Sequence, residues 1–320
     1  MAARRPDRPD PLRRARRPAG PAQPRHLGPA GGGMTHITEI EVLRAGALTT
    51  VQDLGRPGWA HLGVPRSGAL DPTALRLANR LVGNPEEAAG LEITLTGCTV
   101  RLTRATTVAI TGAEVAVRAG ERPGDTGRPL ALPAGTVLTI GPARRGVRSW
   151  LAVAGGIDVP AVLGSRATDT LSGLGPAPLR DGDRLPVGVP LGEPAPVDVT
   201  VGPAPAPDLT LTVRLGPRDD WFTPAALDRL LGTAYTVSPV SNRVGARLAG
   251  APLPRAVTGE LPSEGIVLGA VQVPADGQPL IFLADHPTTG GYPVIGVVTD
   301  VTPLAQARPG TTVRFHGPQR

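Results

Sequence analysis

Short apolar runs alternate with turn residues along most of the chain. From about residue 37 onward, Gly, Pro and Asp separate runs rich in Val, Ile and Leu. In the first half these runs are Ile40–Arg44, Ala47–Val51, Leu91–Leu95, Thr99–Leu102, Thr107–Thr111, Glu114–Arg118, Leu130–Leu132, Thr136–Ile140 and Ser149–Ala154. A spacing of about ten residues with a turn between runs is typical of strands in a sandwich or barrel. The pattern therefore predicts a mainly β protein.

The second half repeats this pattern and ends in a stretch where polar residues interrupt it. Runs at 209–215 and 235–237 come first. The stretch from Ser263 to Val298 then predicts three consecutive buried strands, Ile266–Val273, Leu280–Ala284 and Val294–Val298. Gln272 is a polar residue inside the first of these runs, and a buried amide needs hydrogen-bond partners.

Two short helices interrupt the predicted strands. Asp71 followed by Pro72 has the residue types of an N-cap and first helical position, and the pattern predicts a helix over 73–82 that Gly83 ends. Thr223 and Pro224 repeat this arrangement and predict a helix over 225–231.

Two connections are longer and more polar than their neighbours. The first, residues 49–71, contains Gln52, Asp53 and Arg56. The second runs from Asp285 to Pro293, and Gly290 and Gly291 in it favour a backbone that presents N–H groups to a small anionic or carbonyl ligand. Because long loops without structure of their own tend to be functional, we expect both to line one cleft. A solvated, Gly-rich hairpin loop is the alternative for the second connection.

Composition divides the chain into a basic tail and an electrically balanced remainder. Residues 1–33 hold eight Arg and two Asp, which accounts for the whole formal charge of +6. The tail is rich in Pro and lacks the apolar core of a secretory signal, so it predicts disorder and a cytoplasmic protein. The balanced remainder predicts no nucleic-acid-binding face, and we expect no membrane association. We place domains at 1–33 (tail), 34–202 and 203–320.

Residue usage excludes several kinds of chemistry. The sequence contains no Lys, so it has no P-loop, no Schiff-base Lys for pyridoxal phosphate and no biotinylation site. Cys98 is the only cysteine, which excludes an intrachain disulfide and a Cys-based zinc site. The five His show no metal-ligand spacing, so no metal is expected.

Four segments together resemble one family. They are QDLGRPG with VPRSGALD (52–71), GPRDDWF (216–222), SNRVGARL (241–248) and SEG, GAVQVP and TTGGYP between 263 and 293. In this order they are similar to the biotin-dependent carboxyltransferase family, also called allophanate hydrolase subunit 2, which includes the C subunit of bacterial ATP-dependent 5-oxoprolinase. The resemblance implies two cyclophilin-like β-barrel domains with a few short helices. This chain departs from the family pattern at Asn242, where Asp is usual, and at Pro287, where Gln is usual.

The resemblance implies a protein that helps open the lactam of 5-oxoproline to glutamate with ATP, as one part of an enzyme complex. Such a site needs cationic or N–H donors for a developing oxyanion and a group that activates water. The expected catalytic residues are Glu264, Asp285 and Arg243. The expected substrate-binding residues are Gln52, Asp53, Arg56, Asn242, Arg247, Gln272, Thr288, Thr289, Gly290, Gly291 and Tyr292. Without a P-loop, ATP is expected on a partner or at a shared interface. The implied partners are the A and B subunits of 5-oxoprolinase, the latter resembling a kinase-inhibitor type protein.

Two other functions stay open on the sequence alone. One is carboxyl transfer between carboxybiotin and a urea-like amide, with biotin carried by another protein. The other is a non-enzymatic protein that binds and antagonises a partner, in which case the polar loops would be recognition elements.

We expect residues 1–33 to be dispensable, because they bury too little apolar surface to become ordered. A chain that begins at Met34 should therefore keep the melting temperature and activity of the full chain. A loss of more than a few degrees in a thermal unfolding experiment would contradict this expectation.

Overall fold

The computed structural model describes residues 38–194, 200, 206–259 and 261–317, and these belong to one compact unit. The predicted tail at 1–33 and the predicted domain boundary at 202/203 lie outside the described residues, so both stay predictions. Below, the N-terminal half means residues 38–194 and the C-terminal half means residues 206–317.

The N-terminal half consists of two β-sheets. Its strands are β1 (Thr38–Arg44), β2 (Leu48–Gln52), β3 (Gly90–Thr94), β4 (Cys98–Leu102), β5 (Thr106–Glu114), β6 (Val117–Ala119), β7 (Arg122–Gly124), β8 (Pro129–Leu132), β9 (Val137–Ile140), β10 (Arg145–Val153) and β11 (Arg184–Val187). One sheet has the order β11-β1-β4-β9-β6-β7 and the other β2-β3-β10-β5-β8, with antiparallel pairing throughout. Alternate side chains of both sheets meet in one apolar core.

Helix α1 (Pro72–Leu81) covers the outer face of the second sheet. The Asp71 carboxylate accepts a hydrogen bond from the Ala74 N–H, and Pro72 occupies the first turn, as the sequence predicts. Leu75 is fully buried in a small core that also holds Trp150 of β10. The helix therefore closes this half on the side away from the first sheet.

The C-terminal half is a closed barrel. Its strands are β12 (Asp208–Leu215), β13 (Ala234–Val237), β14 (Gly245–Ala249), β15 (Glu264–Gly265), β16 (Ala270–Gln272), β17 (Leu280–Phe282), β18 (Thr289–Gly290), β19 (Val294–Val298) and β20 (Thr312–His316). The barrel order is β12-β19-β16-β17-β14-β13-β20, closed by parallel pairing of β12 with β20. Strands β15 and β18 form a separate two-stranded ribbon. Helix α2 (Pro224–Gly232) is capped by Thr223 and packs near β20.

A glutamine side chain joins the two halves. Gln306 lies at the end of the 3-10 helix Thr302–Gln306 in the C-terminal half. Its Oε1 accepts from the backbone N–H groups of Val147 and Arg148 at 2.9 and 3.0 Å, and its Nε2 donates to the Arg148 carbonyl. Nε2 also reaches the Asp71 carboxylate at 3.1 Å. This side chain therefore satisfies backbone groups of β10, where the register of the strand shifts.

The prediction of a mainly β protein is confirmed, as are both helices. Cys98 is buried, and burial raises the pKa of its thiol to about 11, so it behaves as a small apolar residue. No helix in the described part of the chain is long and apolar enough to cross a membrane.

Two predicted strands are wrong. The run Ile266–Val273 does not form a continuous buried strand, because only Ala270–Gln272 pairs within the barrel. Val267 and Leu268 are exposed in the connection that precedes it. Hydrophobicity alone does not distinguish an exposed apolar loop from a buried strand of the same composition. The run predicted at Glu114–Arg118 is likewise divided between the end of β5 and the start of β6.

Replacing Leu75 by Ala should destabilise the protein by about 2–5 kcal/mol, because the cavity left under α1 cannot collapse fully. Leu62→Ala is the matched control, since Leu62 is 62% exposed, and it should change stability by less than about 0.5 kcal/mol. Chemical unfolding of both variants measures the difference. Equal losses would show that α1 contributes little to the core.

Candidate functional site

A buried guanidinium joins the two halves. Arg243, between β13 and β14, is 1% exposed and forms a bidentate pair with the Asp285 carboxylate, with Nε and Nη2 each at 2.9 Å. Its Nη1 donates to Glu92 of β3 at 2.5 Å, and Nη2 also donates to the Gly68 carbonyl at 2.6 Å. Every nitrogen of this guanidinium therefore has a partner, and two of its partners belong to the other half.

Asp285 is equally well satisfied. Besides Arg243, its Oδ1 accepts from the Ser67 hydroxyl at 2.7 Å, and its Oδ2 accepts from the Thr170 hydroxyl at 2.7 Å and N–H at 3.0 Å. Burial by itself raises the pKa of Asp285, but the charge of Arg243 and the hydrogen bonds outweigh burial and hold the pKa below its usual value. The carboxylate is consequently ionised at neutral pH and acts only as an acceptor.

Glu92 connects the pair to a second buried arginine. Its Oε1 lies 3.4 Å from Arg148 Nε, and its Oε2 accepts from the Leu70 N–H at 3.1 Å. Burial lowers the pKa of Arg148, while Glu92 opposes that effect. For Arg243, burial likewise acts to lower the pKa, but Glu92 and Asp285 raise it above its usual value. We call Glu92, Arg148, Arg243 and Asp285 the ion network.

A cavity of about 200 Å³ lies beside the ion network. The long loop 49–71 and the loop that begins at Asp285 both contribute to its wall, so the prediction that these loops line one cleft is confirmed. Its lining residues are Leu54, Arg66, Ser67, Ala69, Leu70, Pro72, Leu268, Ala284, His286, Thr299, Asp300, Val301 and Thr302. Mixed apolar walls with a few polar groups are typical of small-molecule sites.

His286 and Arg66 are the two cavity residues able to carry a positive charge. His286 is 8% exposed, and its Nδ1 lies 2.7 Å from the Pro287 carbonyl. Because a carbonyl only accepts, Nδ1 carries the proton, which leaves Nε2 as an acceptor in the neutral ring. Arg66 is exposed, and its single long hydrogen bond goes to the Leu54 carbonyl at 3.5 Å. Its guanidinium therefore keeps donors for a ligand.

The predicted residues Gln52, Asp53 and Arg56 hold one wall together. Gln52 Nε2 donates to the Thr168 carbonyl, and the buried Arg56 donates to the Ala167 carbonyl. Asp53 accepts from the Ser165 hydroxyl at 2.6 Å and from nearby backbone N–H groups. All three bind the segment 165–168 to the loop 49–71. Gln52 Oε1 and Arg56 Nη1 are buried and have no protein partner.

A second group of predicted residues meets at the β15–β18 ribbon. Glu264 pairs with Gly290 across the ribbon, and its carboxylate is clamped by Arg218. The Arg218 hydrogen bond lowers the pKa of Glu264. Gln272 Nε2 donates to the Tyr292 carbonyl at 3.0 Å. None of these residues lines the cavity.

The backbone at Gly290 and Gly291 differs from the one that two glycines favour. Neither Gly290 nor Gly291 has a positive φ, so they do not form the expected left-handed N–H cradle. A Cβ at Gly290 would lie 2.8 Å from Gln272 Nε2, so a larger residue there would displace the end of that amide side chain.

The remaining predicted residues lie on turns or short strands at or near the surface. Asn242 Oδ1 accepts from the Val244 N–H at 2.8 Å and the Gly245 N–H at 3.2 Å, which is a turn contact that needs no charge. Arg247 is exposed on β14. Thr288 accepts from the Ile266 N–H through its carbonyl, and Thr289 is exposed on β18. The roles expected for the predicted site residues stay predictions.

Sequence reasoning missed Glu92, Ser67, Arg66 and Arg218. Glu92 had a visible signal, since an acid inside the apolar run GLEIT is unexpected in a buried strand. Arg218 and Ser67 lie within the family-like segments GPRDDWF and VPRSGALD, but nothing in the local pattern distinguishes them from ordinary loop residues. Only the fold brings Ser67 to Asp285, 218 residues away.

A family model described as the carboxyltransferase domain, subdomain A and B, matches residues 62–317. The chain is 41% identical over 285 residues to the 5-oxoprolinase C subunit of Escherichia coli strain K12, covering 86% of this chain and 90% of that protein. It is 33% identical over 306 residues to urea amidolyase of Lachancea kluyveri, covering 86% of this chain but only 17% of that protein.

The fold is also similar to solved structures. The crystal structure of TTHA0988 superposes with a TM-score of 0.79 at 34% sequence identity. The match covers 89% of this chain and 56% of the TTHA0988 chain, so this chain spans little more than half of that protein.

Replacing Arg243 by Met should destabilise the protein by about 3–5 kcal/mol, because Glu92 and Asp285 would stay buried without a counter-charge. Arg247→Met is the matched control on the neighbouring strand, and its exposed side chain should contribute less than about 1 kcal/mol. Urea unfolding at pH 7 measures both changes.

The difference in free energy of unfolding between wild type and Arg243→Met should become smaller at low pH. A carboxylate whose folded pKa is depressed contributes stability above its unfolded pKa, and this contribution is lost as pH falls through the folded value. The pKa of Asp285 in the wild type lies below the usual 3.8, so the narrowing should be complete only below about pH 4. A difference that stays constant from pH 7 to pH 3 would contradict an electrostatic role for the pair.

Proposed function

The chain belongs to the carboxyltransferase domain family, subdomains A and B, and we propose that within it the chain is one subunit of an ATP-dependent enzyme that opens 5-oxoproline to glutamate. The observation that carries this proposal is the similarity to a protein of Escherichia coli that is named as the C subunit of 5-oxoprolinase. That protein and this chain are 41% identical, and the match covers 90% of the relative. A match of this extent leaves little of either folded chain unaccounted for.

The cavity between the halves supports this proposal as the place for the lactam. Its volume of about 200 Å³ is below the roughly 300–1,000 Å³ of sites for drug-sized ligands, which suits a five-membered ring with one carboxylate. The Arg66 guanidinium at the cavity is placed to bind that carboxylate. Apolar side chains such as Leu54, Leu70 and Val301 provide a wall for the ring methylenes.

His286 is the best-placed group in the cavity to activate water. Its Nδ1–H is fixed on the Pro287 carbonyl, so Nε2 is oriented and free to accept a proton. In the proposed step, a water oxygen attacks the lactam carbonyl carbon and its proton passes to Nε2. The ring C–N bond then breaks, and the amine nitrogen takes up a proton. Glu264 is the other candidate base, although its pairing with Arg218 makes it a weaker one.

Arg243 and Asp285 are placed to act on this chemistry through other groups. Each is saturated by protein partners and fully buried, which leaves no direction from which a substrate could bind them. We assign them the role of positioning Ser67 and the backbone that leads to His286. Gln52, Asp53 and Arg56 act in the same sense, because they hold the loop 49–71 against the segment 165–168.

ATP, when bound by the complex, would supply a phosphoryl group that activates the lactam oxygen and leaves as inorganic phosphate when glutamate forms. The chain has no Lys to hold a nucleotide in a P-loop, so we place ATP on a partner or at a shared interface. The expected partners are the A and B subunits of a 5-oxoprolinase, in the cytoplasm.

Carboxyl transfer to a urea-like amide is the second candidate. The 33% identity to urea amidolyase favours it. However, this chain spans only 17% of that protein, so the biotin carrier and biotin carboxylase would have to come from other chains.

Glutamate formation by a mixture of this chain with A and B subunits tests the proposal. The chain alone should turn over neither ATP nor 5-oxoproline, and the mixture should do both. His286→Gln should lower kcat about a hundredfold or more if Nε2 is the base. Glu264→Gln should have a smaller effect, and His316→Gln, at an exposed position on β20, is the matched control.

If kcat falls tenfold or more in Glu264→Gln and does not change in His286→Gln, the general base is Glu264 on the β15–β18 ribbon and not His286. If kcat is unchanged in both variants, neither His286 nor Glu264 is the general base. A mixture that forms no glutamate, but in which the chain accepts carboxyl from carboxybiotin, would establish the second candidate. Tight binding to a partner without turnover of any substrate would instead support an antagonist role.

A further inference from the structure

Ser67 holds a backbone conformation that disfavours its side chain. Its φ is +52°, one of three positive values among the described non-glycine residues. Such a conformation costs of order 1 kcal/mol for a residue with a Cβ and nothing for glycine. The same loop has glycine at positions 55 and 68. These two residues approach so closely that a Cβ on Gly68 would lie 2.6 Å from the Gly55 nitrogen. A third glycine at 67 would relieve the strain, so the hydroxyl of Ser67 needs a reason.

The hydroxyl proton of Ser67 is already committed. Oγ lies 2.7 Å from Asp285 Oδ1 and 3.1 Å from the Thr168 carbonyl, and both are acceptors. A hydroxyl has one proton, which goes to the closer, charged acceptor. The lone pairs of Oγ then remain, and a group with only lone pairs to offer accepts a hydrogen bond. Ser67 also lines the cavity, although it is 5% exposed.

We propose that the Ser67 hydroxyl, locked as an acceptor by Asp285, receives the ring N–H of a cyclic amide and so makes the cavity specific for lactams. This inference rests on the proposed function, because it assumes that the lactam occupies the cavity. It assigns Ser67 as a substrate-contacting residue and Asp285 as the group that positions it. A ring without N–H would leave the buried acceptor unpaired, which is the strongest way for a site to reject an analogue.

A purely structural role for Ser67 can be distinguished from substrate binding by a control variant at Thr170. If its hydroxyl only helped to satisfy Asp285, the Thr170 hydroxyl would be equivalent, because it donates to the same carboxylate at the same distance of 2.7 Å. Thr170 does not line the cavity. Thr170→Val is therefore a matched control that removes one donor from Asp285 and leaves the cavity wall unchanged.

Calorimetric binding to the full chain, alone and mixed with its A and B subunits, tests the inference with two probes. One is 5-oxoproline and the other is 3-oxocyclopentane-1-carboxylate, in which a methylene replaces the ring N–H. Wild type and Thr170→Val should bind the lactam at least about tenfold more tightly than the carbocycle. Ser67→Gly should bind the two with nearly equal Kd values, and should melt within a few degrees of wild type because glycine relieves the strained φ. Ser67→Ala, which keeps the Cβ, should show the same loss of preference.

Equal binding of the two rings by wild type, or an unchanged preference in both Ser67 variants, would overturn this inference and leave the proposed function intact. Loss of the preference in Thr170→Val as well as in the Ser67 variants would show that the effect passes through Asp285 alone, and would also overturn it. Failure of every preparation to bind either ring would overturn the proposed function itself.

Discussion

The pairing of Arg243 with Glu92 and Asp285 is the interaction on which the rest of the molecule depends. Two carboxylates and a guanidinium are buried where the two halves meet, and each is costly without the others. The network draws the loop containing Gly68 and the loop beginning at Asp285 to one point. The cavity beside it exists because those two loops are held there. Replacement by apolar residues of the same volume would keep the halves together, but would lose the directional contacts that fix Ser67.

Much of the fold follows from the sequence because its signals are local. Alternating apolar runs with turn residues every ten or so positions predict the strands, and Asp71 and Thr223 predict both helix starts through their side-chain oxygens. The error at Ile266–Val273 has a physical reason. Val267 and Leu268 are exposed although apolar, and exposure depends on what packs against a segment, which local composition does not encode.

The candidate site was only partly predictable for the same reason. The two polar loops were identified from their length and composition, and the fold places both at one cavity. Which of their side chains face the cavity was not predictable. Arg243 and Arg66 have similar sequence surroundings, yet one is saturated by buried carboxylates and the other is exposed with free donors. The difference arises because Arg243 has a partner, Glu92, that lies 151 residues away in the sequence.

The same separation in sequence has a consequence for how the chain acquires its structure on the ribosome. The strand that carries Glu92 is synthesised and can pair with its neighbours long before Arg243 leaves the exit tunnel. Of the two arginines that contact this carboxylate in the complete structure, only Arg148, at 3.4 Å, has been synthesised by then. Closing a loop of this length costs conformational entropy and slows folding, so we expect the two halves to join late. Because residues of both halves line the cavity, the cavity cannot form before the barrel has docked on the N-terminal half.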